Sequence, residues 1–233
     1  ELAKEIDNLI VLTCDVSTSA GLDRFRKTFP EKYLDLGIAE KNMMGVAAGM
    51  ATCGIVPWLS SFACFLVNRD LDQLRVVVAQ PNLNVKIGAA YSGLLTGKTG
   101  KTHQEVSDIA IMRAMPNVTV LAPADGVEVR LCMLAATDWD GPVYVRLTRD
   151  HEPVIFDETH NFQIGKSYIV REGTDITLTY TKPTKPGAYP QTNLKMRRNT
   201  SALLEDKDAI PALLDRMPDF DSLFERQTPA QID

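Results

Sequence analysis

Apolar runs of strand length alternate with segments of helical period through residue 150. Leu9 to Thr13 is an apolar, β-branched run, the shape of a buried parallel strand. Asp15 to Ser19 follows as a polar loop at its carboxyl end, where open α/β sheets place ligands. Leu22 to Thr28 predicts a short helix stopped at Phe29-Pro30, and a small-residue helix over Met43 to Met50 ends near Cys53-Gly54. Ile55 to Leu59 is a second strand pattern, and Arg69 to Ala79 predicts an amphipathic helix with Leu71, Leu74 and Val78 on one stripe. Val85 to Ala89 predicts a strand that leads into a Gly-rich loop from Tyr91 to His103. Ser107 is placed to cap a helix over Asp108 to Arg113. Val118 to Leu121 is a strand, Pro123-Ala124-Asp125 starts a helix running to about Ala136, and Val143 to Leu147 closes the series.

This βα repetition predicts an α/β fold, a doubly wound, mainly parallel sheet with helices on both faces. The character changes after Arg149. Ile155 to Asp157 and Gly165 to Val170 predict short strands, and Ile176 to Tyr180 one more. Lys182 to Pro190, with Pro183, Pro186, Gly187 and Pro190, is a breaker-rich linker. Ser201 to Met217 has helical spacing interrupted at Pro211, and Pro218 to Asp233 is polar and loosely held. The expected organisation is a principal domain over residues 1–150, a linker and the start of a truncated domain over 151–180, and an irregular tail with a Pro-rich linker and short helix over 181–233.

Composition narrows the classes of function. With 233 residues, 45% of them hydrophobic, the chain can build one good core with a small appendage. A formal charge of −5 and a pI near 5.3 argue against nucleic acid or an anionic membrane as the main partner. No apolar run approaches the roughly 20 residues that span a bilayer. No basic-then-apolar leader opens the chain, which begins at Glu1 rather than Met and is read as trimmed or processed. Cys14, Cys53, Cys64 and Cys132 are scattered, without CxxC spacing, and are read as packing thiols. Reduced thiols fit a cytoplasmic address. No residue is assigned to a metal.

The most informative side chain lies in residues 37–45, Gly-Ile-Ala-Glu-Lys-Asn-Met-Met-Gly. Glu40 stands between the apolar approach Tyr33-Leu34-Asp35-Leu36 and a helix containing Gly45, Ala47, Ala48 and Gly49. Small residues admit a second backbone or a flat ligand. A carboxylate entering such a seam is costly to desolvate unless it is paired, or protonated so that it donates a hydrogen bond. The plainer alternative is an exposed first-turn Glu favoured by the helix dipole.

Two further segments join it in order: Ser61-Phe62-Ala63-Cys64-Phe65 with Arg69 and Asp72-Gln73, then Gly100-Lys101-Thr102-His103-Gln104 followed by Ile109-Ala110-Ile111-Met112-Arg113 and Pro123-Ala124-Asp125. At these spacings the chain resembles the pyrimidine-binding domain of transketolase, most closely the separately encoded C-terminal subunit of split transketolases, over roughly residues 1 to 178. The resemblance implies a thiamine diphosphate enzyme that transfers a two-carbon ketol unit between sugar phosphates in the pentose phosphate pathway. In that family a Glu hydrogen-bonds N1′ of the aminopyrimidine and favours the imino tautomer, whose 4′-nitrogen takes the C2 proton; Glu40 is the matching residue. Phe65 matches the aromatic that stacks on the pyrimidine, with Phe62 beside it. His103 matches a His near the reacting carbons, able to bond a substrate hydroxyl or assist proton transfer. Arg149 matches an Arg that helps bind the sugar phosphate, and Ser19 a hydroxyl that shares that duty. His151 and His160 are given no role.

The chain also departs from the family pattern. Thr99-Gly100 stands where transketolases have Asp-Gly, Tyr91 where many have His, and Lys98 where an acid is usual. Thr99 and Tyr91 are therefore candidate substrate contacts that bear on donor and acceptor specificity. No Gly-Asp-Gly followed by a distant Asn is present, so magnesium and the diphosphate are expected on a partner, a diphosphate-binding transketolase N-terminal subunit, in a homo- or hetero-oligomer. The likeness stops after Ile176-Thr177-Leu178. The rival readings are a deoxyxylulose-phosphate synthase-like or 2-oxoacid dehydrogenase β-like thiamine enzyme, and a non-catalytic binding or regulatory relic of the domain.

Overall fold

The structure is a computed structural model that describes residues 2–149 and 152–168 and the backbone of 176–179 and 195–198. Two compact units are present, one holding the main sheet through Lys166 and one carrying a short ribbon.

The main unit opens with α1 (Leu2–Glu5), β1 (Leu9–Thr13), α2 (Asp23–Thr28), β2 (Tyr33–Asp35) and α3 (Glu40–Thr52). It continues with β3 (Val56–Phe62), α4 (Ala63–Asn68) and α5 (Leu71–Gln73), which runs on as a π-helical turn over Leu74–Ala79. After these come β4 (Lys86–Ala90), α6 (Asp108–Ala114), β5 (Thr119–Leu121), α7 (Gly126–Asp138) and β6 (Val143–Arg146). The six strands pair in parallel in the order β2-β1-β3-β4-β6-β5. This is the α/β architecture the alternating pattern predicts. In the second unit β7 (Ile176–Thr179) pairs antiparallel with β8 (Lys195–Arg198).

Side chains along each strand alternate between two cores. Leu12, Leu59, Ile87 and Tyr144 face a cluster completed by Met43, Met44 and Ala47 of α3, Leu66 of α4, Leu74, Val78 and Met112. Leu9, Val11, Trp58, Val143 and Val145 face the other, with Ala3, Leu121, Cys132 and Ala136. Both faces of the central strands are buried, which is why they read as continuous apolar runs. At the amino edge Lys86 is buried and donates to the carbonyls of Trp139 and Gly141. Burial pulls its ammonium down to about 8, against the opposing fields of Asp140 and Asp138.

Several local expectations are corrected. The helix expected over Arg69 to Ala79 is present from Leu71 to Ala79, its second part π-helical; a separate helix not read from the sequence, α4, precedes it, and Asp70 (φ −113°, ψ 15°) breaks the chain between the two. Ser107 precedes α6 but makes no cap bond; its hydroxyl donates to Glu105 instead. Ile155 to Asp157 is not a strand, because the Ile155 and Phe156 N–H groups are taken by the Asp125 carboxylate at the start of α7. Cys14, Cys64 and Cys132 are buried as packing thiols, whereas Cys53 is exposed. The expected linker at Lys182 to Pro190, the helix over Ser201 to Met217 and His151 lie outside the described residues.

Candidate functional site at the carboxyl edge of the sheet

The connection after β1 leads to β2 on one side, and that after β3 leads to β4 on the other. A crevice therefore opens between their carboxyl ends, the position at which open parallel sheets bind ligands.

Glu40 reaches this crevice through a turn built on Asp35. Its Oδ1 accepts from the N–H of Asp15 (2.9 Å) and of Gly37 (3.0 Å). Gly37 has φ 66°, a left-handed conformation open to a residue without Cβ. The turn delivers Glu40 to the first position of α3, where its side chain is only 4% exposed. The alternative of an exposed first-turn acid is thereby removed. Arg69 pairs it: Nη1 donates to Oε1 (3.0 Å) and Oε2 (3.1 Å). The same guanidinium lies over the Phe65 ring, its Cζ 3.9 Å from the centroid.

From Phe65 an aromatic surface continues without a gap. Phe62 ends β3 and Phe65 sits in the first turn of α4, their centroids 5.8 Å apart. Tyr91 stacks on Phe62 at 4.3 Å with an interplanar angle of 11°. Tyr91 has φ 62°, uncommon for a bulky residue and of a kind that collects at functional sites. His103 meets Phe62 and Phe65 edge-on at 5.6 and 5.3 Å, and its Nδ1 shares a 2.9 Å hydrogen bond with the Thr102 hydroxyl. Arg149 lies 5.2 Å from the Tyr91 ring. Glu40, joined through Arg69, then Phe65, Phe62, His103, Tyr91 and Arg149 thus form one line of contacts, from residues that span most of the main unit.

Ser19 and Thr99 are not brought into that line. Ser19 is exposed in the turn after β1, next to Ala20, which packs on the aromatic cluster. Thr99 is exposed and its hydroxyl is committed to Thr96, through the carbonyl (2.9 Å) and the side-chain oxygen.

Beneath the site lies a buried polar support with no single-segment signature in the sequence. Glu105 is 2% exposed; Oε2 accepts from Asn68 (2.7 Å), and Oε1 accepts from the Ser107 N–H and hydroxyl. Asn68 also donates to the Cys64 carbonyl, so the α4 turn carrying Phe65 is tied to the loop carrying His103. The loop is closed by the Gly93 and Glu105 backbones, which exchange hydrogen bonds. Asp108 accepts from Arg146 Nε (2.8 Å) and from the Tyr144 hydroxyl (3.1 Å). Asp70, next to Arg69, is fully buried with both carboxylate oxygens lacking a hydrogen-bond partner. The visible signal for Arg69 and Asp70 is a charged pair set between two apolar runs.

The arrangement can stack a flat ring on an aromatic face and hydrogen-bond that ring's edge with a buried carboxyl group. It offers no activated thiol, since burial raises Cys14 and Cys64 to about 11 and Cys132 to about 12. Among the described residues no group of His, Cys, Asp and Glu is arranged to hold a metal ion, and no helix is long and apolar enough to cross a membrane.

Comparison with known proteins gives a concordant assignment. The model of the transketolase pyrimidine-binding domain matches residues 1–153. A putative transketolase C-terminal section of Methanocaldococcus jannaschii is 42% identical over 81% of this chain and 60% of its own length. A 1-deoxy-D-xylulose-5-phosphate synthase of Exiguobacterium sibiricum is 39% identical over 76% of this chain and 28% of its own. Among solved structures, a split-gene transketolase described as an inactive β4 tetramer is 40% identical, with a TM-score of 0.67, covering 75% of this chain and 55% of that one. The chain spans little more than half the length of these split transketolase relatives. With a family match over most of the main unit and the aromatic and carboxylate residues gathered at its crevice, this chain belongs to the transketolase pyrimidine-binding domain family.

Proposed function

We propose that this chain binds the aminopyrimidine of thiamine diphosphate and supports transfer of a two-carbon ketol unit between sugar phosphates. A partner subunit would supply the diphosphate and magnesium half of the site. The observation that carries the reading is Glu40, a buried carboxylate joined through the Arg69 guanidinium to the face of Phe65 in a chain of this family. The residues fit the group. Arg69 already places a planar, nitrogen-rich cation on Phe65 and against Glu40, which is the chemistry an aminopyrimidine would present.

When bound, thiamine diphosphate supplies an acidic carbon and a ring cation that accepts electron density. Glu40 would hydrogen-bond N1′ and favour the imino tautomer, while Phe65 and Phe62 provide the stacking face, a contact of about 1 kcal/mol beyond area burial. His103 would hydrogen-bond a substrate hydroxyl or relay its proton. Arg149 would attract the sugar phosphate by its fixed positive charge, with Tyr91 beside it and Ser19 and Thr99 at the rim. The similar split-gene transketolase, an inactive β4 tetramer, supports self-association without activity and a need for the partner. The four unpaired thiols fit a cytoplasmic setting.

The test is turnover of xylulose 5-phosphate with an aldose acceptor by this chain reconstituted with a diphosphate-binding subunit. Glu40→Ala is expected to lower kcat by about 100-fold or more, the scale of a lost proton-transfer group, with an unchanged far-ultraviolet circular dichroism spectrum. Near-normal turnover would contradict the assignment. The synthase relative favours a second reading, and pyruvate in place of the ketose separates the two.

A further inference from the structure

Arg69 holds both contacts that an aminopyrimidine at Glu40 would need. Its Nη1 bridges the two Glu40 oxygens at 3.0 and 3.1 Å, and its Cζ lies 3.9 Å from the Phe65 centroid. A guanidinium is planar, stacks on aromatic faces and presents N–H donors at its edge. The amino-substituted edge of an aminopyrimidine offers a similar flat set of nitrogens. One ring face and one carboxyl group cannot serve both at once.

The pair is anchored on one side and free to part on the other. Glu40 is 4% exposed, fixed at the start of α3, whereas the Arg69 side chain is 46% exposed. Arg69 stands at the end of α4 with nearly half of its side chain already in water, so the guanidinium can swing outward without crossing the core. Such an arginine sets the net binding free energy, because the ring gains Glu40 and Phe65 only as the guanidinium loses them.

We propose that Arg69 competes with the aminopyrimidine for Glu40 and Phe65, so that cofactor binding proceeds by its displacement and Arg69 sets cofactor affinity. This rests on the function proposed above. The residue acts by occupying the ring's contacts and is assigned no part in the chemical step.

The experiment is calorimetric titration of thiamine diphosphate with magnesium into the chain paired with its diphosphate-binding subunit. Arg69→Ala is expected to tighten binding roughly tenfold, the scale of one charge-assisted contact discounted for the half-exposed arginine. Arg69→Lys, which keeps the charge but not the flat stack, is expected to fall between Arg69→Ala and the unaltered chain. In a Glu40→Ala background the tightening should shrink to the part owed to Phe65, a coupling that a merely structural role would not produce. Unchanged or weaker binding by Arg69→Ala, with Glu40→Ala still weakening binding, overturns this inference alone. Affinity indifferent to Glu40→Ala overturns the functional reading and this inference with it.

Discussion

Glu40 and Asp70 are neighbouring buried acids under opposite conditions. Glu40 has a guanidinium across both oxygens, a pair worth about 1 kcal/mol because Arg69 keeps nearly half its surface in water. Asp70 has no partner for either oxygen. Burial is the main cause that lifts its pKa to about 8; its own backbone N–H works against the rise and the nearby Glu40 charge adds to it. A folded-state value above the unfolded one means that the unfolded chain releases this proton first as pH rises. Stability therefore falls between about pH 4, the unfolded value, and the folded value near 8. Asp70→Asn, which needs no charge in the interior, should raise Tm, with a larger gain at about pH 8 than at about pH 5. Calorimetry at the two pH values checks this, and equal Tm shifts at both would show that Asp70 does not titrate in the folded chain as described.

At the scale of elements, the His103 loop owes its position to one buried carboxylate. Glu105 joins α4 through Asn68 and the start of α6 through Ser107. Asn68→Ala strips a partner from a buried oxygen, a change that costs about 1–3 kcal/mol. Hydrogen exchange should quicken across residues 93–107 while β1, β3 and β4 keep their protection; uniform quickening would show that the contact supports the whole unit instead. The central strands were legible in the sequence because they are buried on both faces and leave unbroken apolar runs. β2 was read only as an apolar approach, being a three-residue edge strand whose Leu34 and Asp35 are exposed. The helix ending at Ala79 was legible, whereas α4 before it was not read, and the partners of the polar residues at its end are remote: Arg69 meets Glu40 29 positions away, and Asn68 meets Glu105 37 positions away. Glu40, Phe62, Phe65 and His103 were legible as residues of a family pattern. Their mutual geometry, and the support beneath them, depend on which loops the parallel sheet brings to one edge.

At the scale of the molecule, two cores hold a sheet whose carboxyl edge opens where the connections after β1 and β3 part to opposite sides, and the site is assembled at that point. The sheet fixes where Glu40, Arg69 and Phe65 come together. The remainder of a thiamine diphosphate site, by the proposal above, belongs to a partner. The central claim is that Glu40 engages N1′ of the aminopyrimidine. It is tested most directly by ¹⁵N magnetic resonance of thiamine diphosphate labelled at N1′ and bound to the reconstituted pair. The account predicts an N1′ resonance displaced from that of the free coenzyme, with the displacement lost in Glu40→Ala. An N1′ resonance that is the same with and without the Glu40 carboxyl group would contradict it.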